Sequence, residues 1–244
     1  MTALIGNPLP HIGNASGFPA ALPPNVIRVV ARAISHAWGL ICANPSHHLM
    51  EIASGAPEED VYSDAICELL MQMLDSSSAV VPGFTSEMFD KVGRGENVSN
   101  YNGSSINKQP DIVIRLANSP ISYGRRFVGI FIESKVVCMA KPMSLYTTQG
   151  LQRFVVGDYG WAMQAGMMLA YRKPKHRDLD HLEVQLSSEA ALLSIAVSGK
   201  HLDLKPVYAP VSAVSAHQRA WSYVGGGNPG DIRIWHMWDL IMPS

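Results

Sequence analysis

The chain carries little charge and no surplus of either sign. Asp, Glu, Lys and Arg make up only 16% of its 244 residues, and 19 basic side chains against 20 acidic ones leave a formal charge of −1. A protein that grips nucleic acid by bulk charge is more basic than this. Any such contact must come from a local patch, a metal site or a partner subunit. Cysteine is equally scarce. Cys42, Cys67 and Cys138 are odd in number, far apart and without a CxxC pair, which excludes a disulfide scaffold and a structural zinc site. No basic segment followed by an apolar core and a cleavage site opens the sequence. The apolar stretch from Val26 to Ala43 is interrupted by Arg28, Arg32 and His36, a poor membrane span. The expectation is a cytoplasmic protein that does not engage the membrane. Internal repeats are absent too.

What is present is enough apolar material for one sizeable domain: 47% of the residues are hydrophobic, a composition that buries a core. Residues 1–24 hold Pro8, Pro10, Pro19, Pro23 and Pro24 among Gly and Asn and form an irregular arm; residues 25–244 form a single domain. Val26, Val29, Val30, Ala33, Ile34, Ala37, Leu40 and Ile41 recur at helical spacing, with Asn25 as the expected N-cap. A second helix is predicted after Pro57. Glu58, Glu59 and Asp60 crowd its first turn, where the helix dipole favours acids, and Val61, Ala65, Leu69 and Met73 form its stripe.

Strands are predicted at Phe84–Asp90, Ile112–Leu116, Phe127–Val137, Ala190–Val197, Pro206–Val214 and Ile232–Trp238, with Gly225–Gly230 as the loop before the last. Gly150–Tyr171 reads as a helix despite Gly157, Gly160 and Gly166, and Arg172–Asp180 as a charged loop. This order gives an α/β domain, a mixed β-sheet flanked by helices.

The chemistry lies in Pro110-Asp111 at the head of one strand and Glu133-Ser134-Lys135 at the end of the next. Alternation puts Glu133 and Lys135 on one face and Ser134 on the other. Ionised groups on strands this apolar are costly unless paired or metal-bound. If the strands pair, two carboxylates and an ammonium converge at one edge of the sheet. Carboxylates supply hard oxygen ligands for magnesium. A bound magnesium lowers the pKa of its water and neutralises phosphate charge, while the lysine orients that water or stabilises the transition state. The plain alternative is a solvated ion pair on an edge strand.

Pro-Asp, a spacer and Glu-x-Lys on a strand resemble the PD-(D/E)xK nuclease superfamily, over roughly residues 50 to 175. The resemblance implies a restriction-endonuclease-like core with Asp111, Glu133 and Lys135 as catalytic positions. It also implies an acid on the preceding helix, with Glu59 favoured and Glu58 the alternative. The segment Gln149-Gly150-Leu-Gln-Arg153-Phe154, with Gly157 and Tyr159 beyond it and Tyr171 further on, resembles the following helix of bacterial restriction and phage-defence members. It lacks the Gln-xxx-Tyr pair of exonuclease-like branches. The implied activity is a Mg²⁺-dependent endonuclease, with Mn²⁺ as a substitute, that cuts double-stranded DNA in restriction or anti-phage defence. Asp111, Glu133 and Glu59 would hold the metal. A homodimer or a subunit of a defence complex is expected, since two cuts on a duplex usually need two sites. The other reading is a nucleic-acid-binding or assembly subunit that uses the fold as a scaffold.

Remaining candidates divide between contact and packing. Arg153 is a phosphate contact or a structural ion pair. Arg172 and Lys173, with Lys175, His176 and Arg177, are phosphate contacts or a solvated loop. His47-His48 lacks a third ligand at a useful spacing, and Gly225–Gly230 lacks the Lys-Ser/Thr of a phosphate loop. Met163, Met167 and Met168 read as core filler. His217, Arg219 and His236 lie near late strands and could reach the edge of the site.

Overall fold

A computed structural model of the chain describes residues 18–50, 55–118, 127–195, 199–204 and 210–242. Six strands, β1 (Phe89–Arg94), β2 (Ile112–Leu116), β3 (Gly129–Val137), β4 (Ala165–Arg172), β5 (Ala213–His217) and β6 (Ile232–Ile241), form one sheet in the order β1-β2-β3-β4-β6-β5. β1, β2 and β3 pair antiparallel, β3, β4 and β6 pair parallel, and β5 returns antiparallel to β6. The sheet is mixed and the class is α/β, as the pattern of elements predicts. Its parallel centre has helices on both faces, which is how parallel strands are buried.

One face carries α1 (Pro24–Ala43), the short α2 (Pro45–His48) that follows it, and α3 (Glu58–Asp75). Ile27, Val30, Ile34, Ile66 and Leu70 pack there on Ile112, Ile114, Ile130, Ile132 and Leu169. By length and composition α1 could cross a bilayer, yet half of its apolar window is buried inside the fold. It begins at Pro24, so the expected cap at Asn25 is displaced: Pro at the first helical position has a preset φ and no N–H to satisfy.

The other face is covered by α4 (Ser144–Tyr146), a π-turn (Thr147–Leu151), α5 (Gln152–Val155) and α6 (Leu179–Ser188). Phe154, Tyr159, Trp161, Leu182 and Leu186 pack there on Val113, Phe131, Met168 and Ala170. The methionines are core filler, since Met163, Met167 and Met168 are fully buried.

Five predicted elements are corrected. The first strand is Phe89–Arg94 rather than Phe84–Asp90, because the Thr85 carbonyl accepts from the amides of Met88 and Phe89 and closes a turn. The helix predicted over Gly150–Tyr171 ends at Val155. Gly157 and Gly160 take positive φ (77° and 64°), and the chain re-enters the sheet as β4. The charged loop ends early because Asp178 caps α6 through the amide of His181. Ala190–Ile195 is a turn after α6 rather than a strand, and the late strand predicted over Pro206–Val214 is Ala213–His217. Residues 196–197 and 206–209 of those two stretches, and residues 1–17 of the arm, lie outside the described residues.

Candidate active site

The topology brings Asp111, Glu133, Lys135 and Glu59 together at one end of the sheet. They do not lie at its edge: β3 is an interior strand between β2 and β4. Ile112 pairs with Ile132 across β2 and β3, so Asp111 lies beside Glu133 and Ser134. Its Oδ2 accepts from the Ser134 amide (2.7 Å) and hydroxyl (2.6 Å), while Arg94 at the end of β1 lies 3.6 Å from Oδ1.

Glu133 is completely buried. Its Oε1 accepts from the Lys135 ammonium (2.8 Å) and the Arg153 guanidinium (3.1 Å), and its Oε2 accepts from the Tyr159 hydroxyl. Lys135 also donates to Glu59 Oε1 (2.7 Å) and to the Ser134 carbonyl (2.7 Å), so three oxygens surround one ammonium. The second Glu59 oxygen accepts from the Val136 amide and ties the first turn of α3 to β3.

Three consecutive acids of α3 divide among three strand ends. Glu58 pairs with Lys173 just past β4 (2.7 Å), Glu59 with Lys135 on β3, and Asp60 with Arg94 on β1 (2.7 Å). Adjacent helical residues are about 100° apart, so each acid aims at a different strand. Behind them Ser63 bonds the Ser134 hydroxyl (2.7 Å) and the Tyr171 hydroxyl (3.0 Å), which fixes the far face of the same strand.

The electrostatics follow from burial. Burial and then the nearby Asp111 push the Glu133 carboxyl up, while Lys135 and Arg153 pull it back without cancelling the rise. Burial alone would lower Lys135, but Glu133, Glu59 and Asp111 outweigh it and hold its ammonium above the usual range. Burial and Glu133 push the Tyr159 phenol well up, so it stays a donor.

The segment on the opposite side of β3 is placed by a glycine. A Cβ on Gly150 would meet the Met168 Cε at 2.8 Å and the Glu133 and Lys135 stems at 3.6 Å. Without one, the π-turn lies directly on the two charged residues; such turns recur at functional sites. Arg153, one helical turn on, reaches back to Glu133.

Of the other sequence candidates, Arg172 bonds His176 and lies 3.5 Å from Asp239, and Lys173 holds Glu58. Neither touches Glu133. His217 and His236 do not reach the site. They belong to a buried chain in which Tyr146 bonds His236 Nδ1 (2.9 Å), and Ser215 Oγ joins His236 Nε2 (2.9 Å) to His217 Nε2 (2.7 Å). Arg219 is buried among the carbonyls of Trp161, Met163, Pro229 and Gly230 and pins the glycine-rich loop. Sequence reasoning missed Tyr159, Arg94 and Ser134 as partners of the carboxylates. The positive-φ glycines flanking Tyr159 were the available signal, since they turn that side chain back onto the sheet.

The donors at the centre are all hard oxygens, the chemistry magnesium takes. Among the described residues, however, no three Asp, Glu, His or Cys side chains form a ready cage; Lys135, Arg153, Tyr159 and Ser134 satisfy the carboxylates instead. No family model, no curated protein and no solved structure matches this chain.

Proposed function

We propose that the chain is a metal-dependent endonuclease with a restriction-endonuclease-like core, hydrolysing phosphodiester bonds in double-stranded DNA. The context we propose is restriction or anti-phage defence in the cytoplasm, as a homodimer or a subunit of a larger complex. The observation that carries this reading is the meeting of Glu59, Glu133 and Lys135 within 2.8 Å, beside Asp111, at the ends of paired strands. Burying the Glu133 carboxylate against a largely buried ammonium, with the partly exposed Glu59 drawn onto it, is expensive for a fold that needs none of them.

Asp111, Glu133 and Glu59 would hold Mg²⁺, or Mn²⁺ in its place. When bound, the metal supplies a water of lowered pKa and neutralises charge on the phosphate. Lys135 places a positive charge where the attacked phosphate becomes more negative. Arg153 and Tyr159 orient the Glu133 carboxylate, and Ser134 orients that of Asp111.

A second reading has its own support. Every charged group at the centre already has an internal partner, as in a scaffold that no longer cuts. Supercoiled plasmid incubated with the protein and Mg²⁺, then with EDTA, separates the two. We expect nicked or linear product only with metal, and none from Asp111→Asn, which keeps an oxygen for the Ser134 donors but removes the charge. Plasmid left intact by the wild type, with no heat of Mg²⁺ or Mn²⁺ binding in calorimetry, favours the scaffold.

A further inference from the structure

Two adjoining hollows, about 290 and about 410 Å³, open beside the candidate centre and share Arg153 and Asp158. Gln149 and Gln152 line one and Asn107 lines the other. Among the described residues these three amide side chains have no hydrogen-bond partner in the fold. Asp158 is held by Lys108 at 2.9 Å, so the acid in the trough is neutralised. Arg153 spans the distance between trough and centre: its guanidinium reaches Glu133, yet its side chain is 41% exposed.

The trough is also built firmly enough to hold a shape. Gly150 seats the π-turn on the Glu133 and Lys135 stems, which fixes Gln149 and Gln152 relative to them. On the other wall, the Tyr101 amide donates to the Gly157 carbonyl, Trp161 donates to the Ser99 carbonyl, and Tyr101 stacks on Trp221 at 4.3 Å. The polar loop that carries Asn107 is thereby anchored to the turn after α5.

Unpartnered amides with few net charges suit a ligand rich in hydrogen-bond acceptors and donors, not one held by charge. We propose that this trough binds the stretch of phosphodiester strand flanking the cleaved bond. Gln149, Gln152 and Asn107 would take phosphate and sugar oxygens, with Arg153 at the end nearest the centre. The proposal rests on the nuclease reading for its substrate class. It also accounts for how a chain of net charge −1 holds a polyanion: through local hydrogen bonds rather than a basic face.

The test is fluorescence anisotropy with labelled double-stranded DNA, single-stranded DNA and single-stranded RNA of one sequence, in EDTA so that no chemistry intervenes. Gln149→Ala/Gln152→Ala should weaken binding to at least one probe by roughly tenfold, the loss expected for two or so hydrogen bonds. The slope of affinity against salt should stay unchanged, since neutral amides release no counterions. Gln72→Ala, an exposed amide on α3, serves as the control and should bind as wild type does. Wild-type affinity in the double variant for every probe overturns the trough, as does failure of the wild type to bind any probe. Intact, amide-dependent binding without plasmid cleavage retains the trough and removes only the nuclease reading.

Discussion

Two buried polar networks sit in the same layer of this molecule, and they are built on opposite terms. Around Glu133 every member is ionised or bonded to an ion, and one side reaches solvent through Arg153. Around Ser215 every member is neutral and enclosed. The Leu193 carbonyl can only accept, so His217 carries its proton on Nδ1 and its Nε2 accepts from the Ser215 hydroxyl. Ser215 then accepts from His236 Nε2–H, and His236 Nδ1 accepts from Tyr146. One donor meets one acceptor at each step, and nothing is left for a ligand. A closed neutral chain specifies packing. A charged cluster open on one side keeps like charges together at a cost in stability, which a packing role does not require.

The largest effect should come from removing the ammonium that unites the charged network. Lys135→Met keeps the apolar stem and deletes three hydrogen bonds. We expect plasmid cleavage to fall at least ~100-fold, the lower end for an electrostatic or acid–base group, with metal still bound in calorimetry. Glu133 retains Arg153 and Tyr159, so the variant should fold with a lowered melting temperature. Rates must therefore be compared well below it. Cleavage at the wild-type rate would make the charged network as purely structural as the neutral one.

The sequence made the charged network legible and left the neutral one in the dark. Asp111, Glu133 and Lys135 stand out because ions on apolar strands demand a reason, and the first turn of α3 stands out through its acids. Arg153 was visible as a charge, but its partner was not: that contact depends on Gly150 letting the π-turn lie on β3. The sequence of β4 reads as helix because Ala165–Tyr171 is apolar at every position, buried on both faces, and so lacks the alternation that marks a half-exposed strand. His217 and His236 give no pattern, since apart from the Ser215–His217 bond inside β5 their bonds join residues on different elements.

The next effect distinguishes the networks by pH. Burial pushes His217 down to about 4 and His236 down to about 3, whereas an unfolded histidine titrates near 6.5. The folded state therefore refuses protons that the unfolded state accepts. The stabilisation is complete above pH 6.5 and is lost as the pH falls from there towards 4, by roughly 1 kcal/mol per pH unit for each histidine. Melting temperature between pH 6.5 and 5, above the carboxylate range, should fall in the wild type. It should fall less steeply in His217→Gln/His236→Gln, which starts from a lower value. Equal slopes would mean that the histidines are not held neutral.

The smallest effect should be at Glu58, and its smallness is what the geometry asserts. Glu58 and Glu59 are neighbours in sequence, in charge and in distance from the α3 N-terminus, so a general field from the acidic turn would make them interchangeable. The structure makes them different: Glu59 bonds both the Lys135 ammonium and the Val136 amide, whereas Glu58, among the described residues, meets only Lys173, in a pair more than a third exposed on each side. Surface pairs of this kind contribute about 0–1 kcal/mol. Glu58→Gln should accordingly melt close to the wild type and cleave within about twofold of it, a difference well under 1 kcal/mol in the barrier. Glu59→Gln should lose most of its activity, because the amide cannot hold the ammonium as a charged partner. Equal losses in the two variants would show that the turn acts through its summed charge. The contact between Glu59 and Lys135 would then be a packing detail, like the bonds of the histidine chain.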